Sequence, residues 1–212
     1  MSPKDSELRA SLQCGVDALG IDVSIDALMT YLQLLDKWNH AYNLTAVREI
    51  TAMVVRHILD SLAIVPWVKG DRVLDVGTGA GLPGIPLALA CPKQQLVLLD
   101  SNGKKIRFLH EVKRVLGLTQ VEIIQIRAES YHPKEGFDTV VSRAFSELQQ
   151  MVVWTEHLVR SNGIWLAMKG RYPEDELRVL PYPYQVQTYQ VADTDDERCC
   201  VIIRKESSWR KS

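Results

Sequence analysis

The chain lacks any apolar run long enough to span a bilayer; the stretch Met53–Val68 is interrupted by Arg56, His57 and Asp60. No apolar segment follows a basic one near Met1, so no secretory leader is expected. Cysteine is sparse. Cys14, Cys91, Cys199 and Cys200 form no C-x-x-C, and none has a histidine partner at metal-ligand spacing. That excludes the common zinc patterns, and no metal is expected. All four read as reduced, buried thiols of a cytoplasmic protein. Nor is there a surplus of one charge. Lys plus Arg number 25 and Asp plus Glu 26, a formal net charge of −1, which argues against strong, unaided nucleic-acid binding through a broad basic face. Internal repeats and low-complexity segments are also absent.

What remains is ordinary for a compact protein: 212 residues, 46% apolar and 24% charged, enough for one α/β domain with an extension. Residues 1–68 read as a helical extension. Leu8, Leu12, Val16 and Leu19 recur at helical spacing until Gly20. Ser24 can cap a second helix carrying Leu28, Leu32, Leu35 and Trp38. A third helix holds Ile50, Met53, Val54, His57, Ile58, Leu62 and Val65. Residues 69–212 alternate instead. Strands are expected near 72–77, 95–100, 121–127, 137–142, 163–169, 184–191 and 198–205, with helices such as Lys104–Leu116 and Ser146–Val159 between most of them. This alternation implies a mainly parallel, seven-stranded sheet covered on both faces. Only the turn Ala192–Glu197 separates the last two strands, so the terminal pair should be antiparallel. The two parts are expected to form one compact unit.

The densest signal is Arg72-Val-Leu-Asp-Val-Gly77-Thr-Gly79-Ala-Gly81-Leu-Pro-Gly84, an apolar strand entering a glycine turn, with an apolar helix following over Ile85–Ala90. Glycine permits positive φ and lets the backbone approach a ligand closely. The helix N-terminus behind it offers free N–H groups and a positive dipole end to an anion. Pro83 and Pro86 are tolerated in the first turn. The spacing selects the ligand. From Gly77 the run reads G-x-G-x-G with Leu82 sixth, not the G-x-G-x-x-G of dinucleotide-binding folds; that register exists only from Gly79 and includes Pro83. Asp75, two residues before Gly77, completes D-x-G-x-G-x-G, which looks like motif I of the class I S-adenosylmethionine-dependent methyltransferases. Asp100, 23 residues after Gly77, ends the second strand, where an acid can accept both ribose hydroxyls.

Further motifs lie beyond the loop. They are Trp38-Asn39, Tyr42-Asn43-Leu44-Thr45, Arg56-His57-x-x-Asp60-Ser61, Leu99-Asp100-Ser101, Lys105 with Arg107-Phe108-Leu109, Ser142-Arg143-Ala144 and Lys169-Gly170. In this combination, from about Leu34 to Glu176, the chain resembles the bacterial 16S rRNA guanine-N7 methyltransferase family, also called glucose-inhibited division protein B. The resemblance implies a class I, Rossmann-like methyltransferase fold with S-adenosylmethionine as cofactor. It implies methyl transfer to N7 of a guanosine in 16S rRNA, guanine 527 in that family, within the small ribosomal subunit or an assembly intermediate. It also implies that Asp75, Gly77, Gly79, Gly81 and Leu82 line the cofactor, that Asp100 and Ser101 hold its ribose, that Ala128 and Glu129 flank its adenine, and that Arg143 completes the pocket. No catalytic acid or base stands out; Arg143, Lys169, Asn43 and His57 are the positioning candidates. His57 also reads as a satisfied structural histidine, Asn43 and Thr45 as a turn and cap, and Arg56 with Asp60 as a surface ion pair. Trp38, Trp154 and Trp165 read as core or interface. A monomer acting away from membranes is expected.

The omissions fit this chemistry. Ser142-Arg143-Ala144-Phe145 stands where exocyclic-amine methyltransferases typically carry Asn/Asp-Pro-Pro-aromatic, and no cysteine is nearby for attack on cytosine. Guanine N7 is a ready acceptor on the major-groove edge. No base has to remove a proton, so in-line positioning and the handling of charge suffice. Two alternatives remain open on the residues: a small-molecule methyltransferase, in keeping with the low net charge, and an NAD-binding oxidoreductase or non-catalytic nucleotide-binding module.

Overall fold

A computed structural model of the protein describes residues 3–143, 145, 147–191 and 197–205. Ala144, Ser146, the expected turn at 192–196, and Arg210 and Lys211 of the basic tail lie outside the described residues.

Helices α1 (Pro3–Leu19) and α2 (Ile25–Tyr42) open the chain. The Ser24 hydroxyl accepts from the Ala27 N–H at 3.3 Å and caps α2. Asn43 ends α2 in the left-handed region, φ 52°. The third helical stretch departs from expectation. It is not one regular helix: α3 (Ile50–Met53) passes into a π turn over Val54–Leu59, then α4 (Asp60–Leu62) and a 3-10 turn over Val65–Trp67. The Asp60 N–H reaches the Val55 carbonyl, which inserts one extra residue into the helical turn. Nothing in the residue pattern announces that insertion. By length and composition alone, 50–67 would also cross a membrane, contrary to the reading of an interrupted run. Met53, Val54, Ile58, Leu59, Leu62 and Ile64 are instead buried in the protein's own core.

The sheet comprises β1 (Arg72–Val76), β2 (Gln95–Asp100), β3 (Val121–Gln125), β4 (Phe137–Ser142), β5 (Val159–Lys169), β6 (Tyr184–Tyr189) and β7 (Arg198–Arg204). Helices α5 (Gly84–Ala90), α6 (Gly103–Leu116), α7 (Leu148–Thr155) and the short α8 (Glu174–Leu177) connect them. The order is β3-β2-β1-β4-β5-β7-β6, parallel except for β7, which runs antiparallel to both neighbours. The helix expected to reach Val159 stops earlier. A 3-10 turn over Glu156–Leu158 replaces its end, and β5 begins at Val159 opposite Phe137 before the register shifts to Thr139 opposite Ile164.

Strand alternation sends successive side chains into two cores. On one face Leu12, Leu28, Leu32, Leu35, Ile58 and Leu62 pack with Ile85, Leu98, Phe108, Leu109, Val141 and Leu166. On the other, Leu74, Val76, Phe137, Val140, Leu148 and Trp165 pack with Val201 and Ile203. The helical extension and the sheet therefore share one core. Each buried leucine in it is worth about 1.5–3 kcal/mol. Cys199 and Cys200 are buried, Cys200 in the first core and Cys199 with its Sγ on the Arg171 carbonyl. Cys14 is exposed and Cys91 half-buried, which corrects the expectation that all four thiols are buried.

Candidate active site

The sheet order reverses between β1 and β4, the point at which an open α/β sheet leaves a crevice beyond its carboxyl ends. β1 delivers the glycine loop to that crevice. Gly77, Gly79 and Gly81 have φ of 67°, 62° and 91°, values that side chains with a Cβ rarely adopt. The N–H groups of Gly77 and Thr78 both donate to the Leu99 carbonyl, at 2.9 and 3.1 Å, tying the loop to β2. Asp75 is fully buried beneath it. Its Oδ2 accepts from the Thr78 hydroxyl at 2.6 Å and the Gly84 N–H at 2.8 Å. Burial pushes its carboxyl up to about 6, opposed by those two hydrogen bonds. Its Oδ1 is buried with no hydrogen-bond partner among the described residues. A Cβ at Gly84 would lie 2.7 Å from Asp75 Oδ2 and would collide with Leu98.

Asp100, at the end of β2, accepts from the Gly79 N–H at 2.9 Å on Oδ2 and from the Asn102 N–H at 2.8 Å on Oδ1. Lys105 Nζ stands 3.6 Å from Oδ2. The structure brings Gly77, Asp100, Ser101, Ala128 and Glu129 to one cleft, walled by Phe145 and Trp154. The two rings meet edge-on with centroids 5.7 Å apart. Trp154 is thus a cleft wall rather than core, and neither ring was marked by the sequence motifs. A Cβ at Gly79 would meet only Lys105 Nζ at 3.7 Å and the Gly77 carbonyl at 3.9 Å, both ordinary contacts. Gly81 and Leu82 are placed differently. Gly81 packs on Ile85 and Leu109, Leu82 is buried, and both N–H groups donate to the Thr78 carbonyl at 2.9 Å. Together with Asp75 they are buried behind the surface of the loop: glycine spacing shows where the chain turns, not which peptides turn inward.

The cleft fits S-adenosylmethionine. Phe145 and Trp154 could hold the adenine face. Each Asp100 oxygen retains a lone pair for a ribose hydroxyl after accepting one N–H. The unpartnered Asp75 oxygen below the loop suits a cationic tail.

A second cluster adjoins the cleft. Arg143, just past β4, is drawn toward the helical extension: Nη1 donates to the Arg56 carbonyl at 3.1 Å and lies 3.7 Å from Asp60 Oδ2 and 3.5 Å from His57 Nδ1. Its guanidinium is thus bonded to the helical extension, while its charge still acts on Asp75 beneath the glycine loop. Asp60 is buried, not a surface partner of Arg56. Its Oδ1 accepts from the Tyr189 hydroxyl at 2.9 Å and lies 3.6 Å from Arg198 Nε. Burial raises its carboxyl above the usual range, and Arg143 is the strongest opposing charge.

His57 is also buried, with Nε2 at 2.8 Å from Thr45 Oγ1 and Nδ1 at 3.0 Å from the Arg56 carbonyl. The Arg56 carbonyl can only accept, which assigns the proton to Nδ1 and leaves Nε2 to accept from the Thr45 hydroxyl, whose oxygen also accepts from the Val47 N–H at 3.3 Å. Burial, then Arg143, brings the imidazole down to about 4. Asn43 Oδ1 accepts from Arg48 Nη2 at 2.6 Å. Lys169, ending β5, holds the Glu176 carboxylate at 2.8 and 3.0 Å. Asp60, Tyr189 and Arg198 come from three separate segments, and no local motif could have joined them.

Residues 24–198 match the family model described as rRNA small subunit methyltransferase G. The chain is 57% identical over 199 residues to the ribosomal RNA small subunit methyltransferase G of Legionella pneumophila (strain Corby), spanning 94% of this chain and 96% of that one. Against the protein of the same name from Pseudomonas syringae pv. syringae it is 48% identical over 200 residues, covering 92% and 94%. Among solved structures it is similar to a precorrin-6y C5,15-methyltransferase from Geobacter metallireducens GS-15, with TM-score 0.54, 15% identity and coverage of 79% and 93%. It is likewise similar to M. jannaschii TYW2 in complex with AdoMet, with TM-score 0.54, 16% identity and coverage of 70% and 75%. At such identities these two show the class I methyltransferase fold alone.

Proposed function

Because the chain belongs to the rRNA small subunit methyltransferase G family, we propose that it methylates N7 of a guanosine in 16S rRNA, at position 527 as in the family it resembles. S-adenosylmethionine is its cofactor. When bound, the cofactor supplies an electrophilic methyl group on a sulfonium centre.

The observation that carries the reading is the cleft lined by Gly77, Asp100, Ser101, Ala128, Glu129, Phe145 and Trp154, with Lys169 Nζ 3.5 Å from the Phe145 carbonyl at its wall and Arg143 and Arg198 gathered on Asp60. The three cations lie at one edge of the sheet, since Lys169 pairs with Cys199 across β5 and β7. The cleft residues hold and orient the cofactor. Each of these cations is already paired with Asp60 or Glu176, so a contact with an RNA phosphate would compete with that pairing. The buried imidazole of His57 has both nitrogens engaged, so it is not placed to act as a base. Transfer to N7 requires none, and alignment of the nucleophile with the methyl group then provides most of the rate.

With so small a net charge, shape and protein contacts of the particle should supplement these few cations. The proposed substrate is therefore the small ribosomal subunit, or an intermediate in its assembly, in the cytoplasm. Labelled S-adenosylmethionine, undermethylated small subunits and naked 16S rRNA, followed by nucleoside analysis, test the reading. Label in 7-methylguanosine, greater from the particle, is the expected result. Label in another nucleoside overturns the N7 assignment, and a preference for naked RNA overturns the particle. Transfer to neither, with S-adenosylhomocysteine still bound, moves the substrate to a small molecule.

A further inference from the structure

We propose that Tyr31, on α2 of the helical extension, is a positioning residue for the cofactor loop, its hydroxyl fixing the peptide between Ala80 and Gly81. The proposal rests on S-adenosylmethionine as cofactor and not on which RNA atom is methylated. Tyr31 is fully buried and donates to the Ala80 carbonyl at 2.7 Å, a contact across 49 residues of chain. The other end of that peptide, the Gly81 N–H, donates to the Thr78 carbonyl at 2.9 Å. A flip of the peptide plane would break both bonds at once.

Local sterics do not prevent that flip. Gly81 has φ 91° and no side chain, and the freedom that lets the loop adopt its bound shape lets it adopt others. Selection among those shapes falls to the anchors. The Thr78 bond is internal to the loop and moves with it. The Tyr31 bond ties the loop to an element outside it.

The phenol ring is itself held. Its centroid is 6.4 Å from that of Phe108 on α6, which lies 5.6 Å from Trp38 two turns further along α2. Leu109, next to Phe108, packs under Gly81. Helices α2 and α6 thus grip the underside of the loop while Gly77 faces the cleft. Phenylalanine would fill the same apolar space; only the hydroxyl reaches the carbonyl. Burial pushes the phenol well above its ordinary value, so it remains a donor throughout the working range. A loop that spends part of its time flipped binds more weakly in proportion to the competent fraction.

Tyr31→Phe keeps the ring and removes the donor. The expected result is a folded protein whose S-adenosylhomocysteine affinity, by calorimetry, falls about five- to tenfold, within the range of one hydrogen bond. KM for S-adenosylmethionine should rise by the same factor while KM for undermethylated small subunits stays constant. Phe137→Leu, in the core on the other face of the sheet, is the packing control. It should lower the apo melting temperature yet leave the affinity within about twofold, a split that a purely structural role for Tyr31 would not produce. Unchanged affinity in Tyr31→Phe overturns the proposal. Equal losses of affinity in the two variants also overturn it, because packing alone would then account for both. Neither outcome depends on the N7 assignment, since the binding measurement contains no RNA.

Discussion

Asp75 and His57 titrate in opposite senses, and removing either one should tilt the stability of the protein with pH in opposite directions. The Asp75 carboxyl moves from an ordinary 3.8 to about 6 in the folded chain, chiefly through burial. A raised pKa contributes stability that is complete below the unfolded value and is lost as pH climbs through about 6. At about 1.4 kcal/mol per pH unit this amounts to roughly 3 kcal/mol. His57 moves from 6.5 down to about 4, again chiefly through burial. A buried imidazole with a lowered pKa contributes stability that is complete above 6.5 and lost as pH falls through about 4, also roughly 3 kcal/mol. Between those limits the two slopes oppose one another, and this pair leaves the wild type nearly flat. Asp75→Asn can keep both bonds to Thr78 and Gly84 through its amide oxygen while losing the titration. From pH 6.5 to 4.5 it should lose about 2 kcal/mol relative to wild type, and His57→Gln should gain about 2 kcal/mol. Urea unfolding at pH 6.5, 5.5 and 4.5 reads this directly. The slope carries the information, because a constant offset from the new amide group cancels. Three parallel profiles would show that burial at these two positions does not perturb the groups as argued.

Gly84→Ala should destabilise the fold by about 1–3 kcal/mol, since its methyl group meets Leu98 and Asp75 in a packed layer; urea midpoints check it. Asp100→Ala removes the acceptor for the Gly79 and Asn102 N–H groups as well as the proposed ribose contact. S-adenosylhomocysteine affinity should fall at least about tenfold in calorimetry with the fold retained. Arg143→Ala should leave that affinity unchanged and raise KM for small subunits several-fold, because its guanidinium faces Arg56 and Asp60 rather than the cleft. A weakened cofactor with unchanged KM for the RNA would restore it to the cofactor pocket. Replacing Cys14, Cys91, Cys199 and Cys200 singly by Ser should leave methyl transfer active in every folded variant, with stability losses greatest at the two buried positions.

The strand, glycine turn and helix over 72–90 were legible because each rests on contacts between near neighbours. β1 carries Val73, Leu74 and Val76, Gly77 must adopt positive φ, and a helix follows within a few residues. The antiparallel ending of the sheet was legible for a similar reason: too few residues separate β6 from β7 for a helical crossover. Asp100 could be read from its distance along the chain to Gly77. The π turn could not, since the residues of Val54–Leu59 suit a regular helix equally well and the turn is packed against α1 and α2, which lie elsewhere in the chain. Arg143 was legible as a cation at a strand end, but its direction was not; that depended on a carboxylate 83 positions earlier in the chain.

The sequence by itself therefore determined most of the elements, their alternation and the cofactor turn, which follow from periodicity and from backbone limits that act over a few residues, while the family followed from the resemblance of its motifs. The tertiary structure alone decided which loop peptides face the cleft, that Phe145 and Trp154 wall it, that Tyr31 anchors it from beneath, and that Asp60 gathers Arg143, Arg198 and Tyr189. The physical reason is burial. A hydroxyl or a carboxylate removed from water must find its partner inside the fold, and that partner is chosen by where the elements pack rather than by its distance along the chain.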